Sequence, residues 1–141
     1  MRSSSRHGSV MRFMGLSAVV LLAAACAPTH TTSRTGVVRD ITVIEAPNPP
    51  ELKANAGDEV RWVNRRTQAI QVDLLETRIV DLTCNRGFTD IFGGPREYVT
   101  LEANETASAC FPTAGVVRYN VRMESALPGG RKIVPGVVRV E

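Results

Sequence analysis

The chain has 141 residues, 43% of them hydrophobic and 22% charged, with 17 lysines and arginines against 14 acids and a formal net charge of +3. Arg2, Arg6 and Arg12 supply that whole excess. Without residues 1–25 the chain is formally neutral, so the basic balance is no nucleic-acid signature, and no aromatic-rich basic stripe argues for one. The two histidines, His7 and His30, both precede the first alternating segment, which excludes Ser-His-Asp and Cys-His nucleophilic catalysis from everything after it.

In chain order, the three arginines are followed by the apolar run Leu16–Ala25. A basic head, a short apolar stretch and small residues make an export signal. The run is shorter than the roughly 20 residues a membrane-spanning helix needs. Leu22-Ala23-Ala24-Ala25-Cys26 resembles a bacterial lipobox, with Leu22 one place further from the cysteine than that motif has it. The resemblance implies cleavage after Ala25 and lipidation of Cys26. Ala27 in the next place implies no inner-membrane retention, hence an outer-membrane anchor facing the periplasm. Ordinary signal cleavage would instead leave Cys26 unmodified. Residues 26–35 are polar, lack apolar periodicity and read as a flexible tether.

The remainder is enough for one domain with a single core, assigned to residues 36–141. Val38–Ile44 is β-branched and alternates. "APNPPELKANAGD" supplies turn residues and a short extended piece. Asp58–Asn64 and Ile70–Leu74 alternate again, and Val80–Cys84 is a further short strand. Tyr98–Glu102, Thr106–Phe111 and Val116–Met123 follow, the last with Val117, Tyr119, Val121 and Met123 on one face. Gly136–Glu141 closes with Val138 and Val140 inward. About seven to eight short strands with regular turn signals, and no convincing helical period, predict an all-β Greek-key sandwich.

The order of motifs narrows the choice. Gly57-Asp58, Trp62-Val63-Asn64, Phe111-Pro112, Gly115, Tyr119 and Gly136-Val137-Val138-Arg139-Val140 stand in the order and spacing of a cupredoxin of the plastocyanin and azurin kind. The chain resembles that family over about 95 residues. A blue-copper site takes two imidazoles, a thiolate and a weak axial group such as methionine. The resemblance places those ligands at Ile70, Val121, near Glu124 and at Val134, none of which ligates copper in that way. It therefore implies the scaffold without the type-1 copper, and no cofactor. Ile70, Val121 and Val134 would fill the metal's cavity as packing residues.

Cys84 and Cys110 form an even pair in an exported chain, which reads as one disulfide. The alternative is a soft-metal site of Cys84, Cys110 and Met123 suited to Cu(I), in a metal-handling accessory protein. Asp58-Glu59 carries no mark of a catalytic carboxylate pair, and Asn104-Glu105-Thr106 reads as a turn.

Recognition then falls to loops. "NRRTQA" (64–69) and "RMESALPGGRKIVP" (122–135) share the end where a cupredoxin holds copper, and bring Arg65, Arg66, Arg122, Arg131 and Lys132 around Glu124. "NRGFTDIFGGPRE" (85–97) carries Phe88 and Phe92 among glycines. Loops on a rigid sandwich are a usual place for binding, and exposed phenylalanines suit a protein partner. The expectation is a non-catalytic envelope lipoprotein that binds a partner protein or stabilises a complex. Ligand recognition by an immunoglobulin-like sandwich is the further alternative.

Overall fold

The computed structural model describes residues 34–77, 81–125 and 128–141. Cys26, both histidines and Val80 lie outside the described residues. Among the described residues nine strands form: β1 Val38–Val43, β2 Pro47–Asn48, β3 Glu51–Ala54, β4 Glu59–Asn64, β5 Ile70–Leu75, β6 Tyr98–Leu101, β7 Thr106–Cys110, β8 Gly115–Glu124 and β9 Arg131–Val140. They make two sheets, ordered β2-β1-β4-β7 and β3-β9-β8-β5-β6. The β1/β4 and β3/β9 pairs are parallel and the others antiparallel. The expected all-β sandwich is what the chain forms.

Period-two alternation makes the core. Ile41, Val43, Val60 and Trp62 face inward from one sheet. Ile70, Val72, Leu74, Val99, Leu101, Tyr119, Val121, Met123, Val138 and Val140 face them from the other. Trp62 stands at the centre, edge-on to Tyr119 with ring centroids 5.4 Å apart and to Phe88 at 5.8 Å. Such edge-to-face pairs add roughly 0.5–1.5 kcal/mol each beyond area burial. Burial pushes the Tyr119 phenol up to about 12, against the opposing effect of the Trp62 side chain.

Three sequence expectations need correction. The proline-rich stretch after β1 holds two strands rather than one extended piece, because β2 pairs with β1 while β3 crosses to pair with β9 in the other sheet. The strand expected at Val80–Cys84 is absent among the described residues: Cys84 makes only a single bridge to Cys110. Finally, β9 begins at Arg131 rather than Gly136 and pairs with β8 from Gly115↔Val140 to Glu124↔Arg131. Pro135 is tolerated there because β3 pairs with β9 only from Val137 on, so no ladder partner lies on that side of the proline.

The domain's start is clasped. Thr35 donates its N–H to the Gly57 carbonyl at 3.0 Å and its hydroxyl to Asp58 Oδ1 at 2.6 Å. Asp58 is buried and also accepts from the Asn55 N–H at 3.0 Å and Arg39 Nε at 3.3 Å. The Thr35 hydroxyl foremost, then the Asn55 amide and Arg39, hold the Asp58 carboxyl below the usual carboxylate range. A lowered folded-state pKa gives stability that is complete above the unfolded value of about 3.9 and is lost as pH falls through the folded value. Asp58→Asn should therefore be less stable than the parent at neutral pH, and the gap should close as pH falls below about 4. Urea titrations of both proteins across that range check it; a gap independent of pH would disprove the assignment.

Candidate functional site

The end of the sandwich reached by the finish of β4 is where the sequence placed the missing copper. Val60, Trp62 and Asn64 alternate along β4, so Asn64 points inward and is fully buried. A buried amide needs partners. Its Nδ2 lies 2.9 Å from the Gln68 and Leu101 carbonyls and 3.0 Å from that of Glu102, and its Oδ1 accepts the Arg66 N–H at 2.9 Å. One side chain thus shapes the 64–69 loop and ties β4 of one sheet to the end of β6 in the other.

The four family ligand positions do not all converge. Ile70 pairs with Met123, Val72 with Val121, and Val121 with Val134 across adjacent strands. Ile70, Val121 and Met123 are buried, and Val134 packs against the core half-buried. Glu124 is exposed, opposite Arg131 in the β8–β9 ladder.

Arg66 closes over the Met123–Glu124 end of β8. Its Nη1 lies 2.9 Å from the Ile44 carbonyl and 3.2 Å from Met123 Sδ, and its Nη2 lies 3.0 Å from the Glu124 carbonyl and 3.2 Å from Gln68 Oε1. One guanidinium therefore joins the end of β1, the 64–69 loop and the end of β8. The planar fork of arginine suits such a multi-acceptor brace. Arg66 is half-buried and its guanidinium is engaged within the fold.

The other cations are also largely engaged within the fold. Arg122 lies on β8 and pairs with Asp73 on β5. Arg131 and Lys132 lie on β9, not in a loop, and Lys132 Nζ donates to the Glu45 carbonyl at 2.9 Å. Arg65 is exposed, with Nη1 3.5 Å from Asn104 Oδ1. Between these elements a shallow depression of about 200 Å³ is lined by Ile70, Met123, Arg122 and Arg131. The expected meeting of the 64–69 and 122–135 segments does occur, but as a braced hairpin end.

The cysteines lie elsewhere. Cys84 and Cys110 are joined by a disulfide. Cys110 pairs with Glu59, at the opposite end of β4 from Asn64, roughly 16 Å away at about 3.3 Å per residue. Cys84, Cys110 and Met123 therefore do not converge, because the pair closes the far end while Met123 sits under Arg66. No group of three or more His, Cys, Asp or Glu side chains is placed to hold a metal among the described residues.

The disulfide fixes the 81–97 segment over the β7 edge. Thr83 N–H donates to the Cys110 carbonyl, Cys110 N–H to Cys84, and Ser108 N–H to Arg86, at 2.9–3.0 Å. The edge strand is thereby covered. Phe88 is fully buried against Trp62, so its candidacy as a partner contact is overturned: it anchors the segment. Phe92 is the reverse case, 90% exposed, and beside it stands Ile91, which the sequence reading did not single out, at 91%.

No protein-family model matches the chain, and no curated protein matches it. Among solved structures it is similar to a copper(I) amicyanin variant at 21% identity and a TM-score of 0.48, over 81% of this chain and 95% of that one. A purple cupredoxin from Nitrosopumilus maritimus is similar at 18% identity and a TM-score of 0.45, over 72% and 98%. Amicyanin from Paracoccus versutus is similar at 19% and 0.45, over 76% and 83%. The likeness is one of fold.

Proposed function

We propose that this chain is a copper-free, non-catalytic binding or structural module of the bacterial cell envelope. Lipid on Cys26 holds it to the outer membrane, facing the periplasm, and the folded domain engages a partner protein.

The observation that carries the copper-free part is Arg66. A fixed cation lies 3.2 Å from Met123 Sδ, the residue paired with Ile70, and 3.0 Å from the Glu124 carbonyl, at the end of the sandwich to which the sequence resemblance assigns two of the ligand positions, Ile70 and Glu124. Two unit charges about 4 Å apart repel by about 4 kcal/mol at an effective dielectric near 20. A metal ion would have to displace the guanidinium and with it the hydrogen bonds to Ile44 and Glu124. A binding role is supported by the rigid scaffold and its shaped loops, the usual place for recognition.

The test is titration of the purified protein with Cu(II) and with Cu(I) under anaerobic conditions. No blue thiolate band and no stoichiometric uptake are expected. One tightly held equivalent of either ion would overturn the copper-free reading. Intact mass of the chain extracted from membranes should show acylation at Cys26; an unmodified Cys26 would remove the anchor.

A further inference from the structure

Among the described residues, the turn at 89–95 presents the two most exposed large apolar side chains, and it is internally braced. Thr89 bridges to Pro95, and the Asp90 N–H donates to the Gly94 carbonyl at 2.8 Å. Asp90 Oδ1 accepts from the Phe92 and Gly94 N–H groups at 2.9 and 2.7 Å. Gly93 adopts φ +81°, which favours glycine, and a Cβ on Gly94 would fall 2.8 Å from Asp90 Oδ2, so a side chain there would disturb the Asp90 cap. Its base is pinned by buried Phe88 and by the Arg96 N–H to the Phe88 carbonyl at 3.0 Å. The result is a braced apex carrying Ile91 and Phe92 at 91% and 90% exposure. Preorganised apolar anchors of this kind reduce the ordering cost of association.

The surroundings select the partner's chemistry. Arg86 and Arg96 are exposed on either side of the turn, and Arg96 lies over the Tyr98 ring at 5.3 Å from its centroid. The Asp90 carboxylate faces back into its own turn, and the nearest exposed cations in the chain on either side are Arg86 and Arg96. Arginine and aromatic residues around an apolar centre are the composition of a protein interface. A bilayer fits less well. The Ile91 and Phe92 carbonyls accept no hydrogen bond among the described residues, and hydrocarbon offers no donor.

We infer that the Ile91–Phe92 apex is a docking knob for a partner protein that offers an apolar pocket with an acidic rim. This rests on the binding-module reading and gives that module its contact surface.

The test is site-specific photo-crosslinking of the full chain in its native host, with benzoylphenylalanine at Phe92 or Ile91 and, as a control, at exposed Val116. The expected result is one discrete protein adduct from both apex positions and none from Val116. The crosslinked peptide of the partner should lie beside acidic residues. Reversing the rim with Arg86→Glu and Arg96→Glu should lower adduct yield at least tenfold while the melting temperature stays unchanged. Lipid adducts alone, no adduct, an adduct shared with Val116, or a yield indifferent to charge reversal would each overturn the knob. With the crosslinker placed instead at exposed Arg65, a discrete adduct there and none from the apex would overturn the knob while leaving the binding-module reading intact.

Discussion

Gly136→Ala should destabilise the domain by about 3 kcal/mol, the upper end of what overpacking a core costs. Gly136 on β9 lies directly opposite Tyr119 on β8. A Cβ there would fall 2.1 Å from Tyr119 Cζ and 2.2 Å from its hydroxyl oxygen. The ring cannot retreat, because Trp62 stands edge-on behind it at 5.4 Å. Nor does the clash involve the flexible tip of a surface chain, since Tyr119 is fully buried. Urea denaturation of Gly136→Ala, Tyr119→Leu and the double variant forms a cycle that isolates the contact. The glycine substitution should cost far less once the ring is gone. An equal cost in both backgrounds would place the effect in the backbone of β9 instead.

Replacing both bridged cysteines, Cys84→Ser with Cys110→Ser, should cost about 3–4 kcal/mol by loop-closure arithmetic for a separation of 26 residues. For a domain of this size that is a large part of net stability. The loss has a place as well as a size. The bridge holds 83–86 against β7, so without it the edge hydrogen bonds from Ser108 and Cys110 open first. Limited proteolysis of the double variant should then cut within 85–97 before the sandwich unfolds, whereas the parent resists. Phe88 would still tether the loop through Trp62, so a loss below about 1 kcal/mol would mean that aromatic packing, not the bridge, carries the attachment.

The two loops show how far a sequence reaches. Phe88 and Phe92 sit four residues apart among the same glycines, and nothing local separates their fates. Phe88 is buried because the disulfide and β7 bring its backbone over Trp62, and Phe92 is exposed because the Asp90 cap turns the chain outward between them. Arg66 is a similar case. Its neighbours in sequence are polar, and its bracing role depends on Ile44, Met123 and Glu124 arriving from β1 and β8. Asn64 was more legible, since it continues the inward alternation of Val60 and Trp62 and so announces a buried amide.

By itself the sequence determined the alternating strands, their inward faces, the pairing of the two cysteines left after the polar segment, and the absence of any histidine after residue 30. Those features are local or compositional: side-chain direction repeats every two residues, and a histidine absent from the chain after residue 30 cannot be supplied by folding. Only the tertiary structure decided that the proline-rich stretch splits between two sheets, that β9 runs five residues further, and which cation closes the vacant end. Each of these depends on pairing between segments far apart in the chain, where the favourable partner is set by the other strand's edge and carries no local mark.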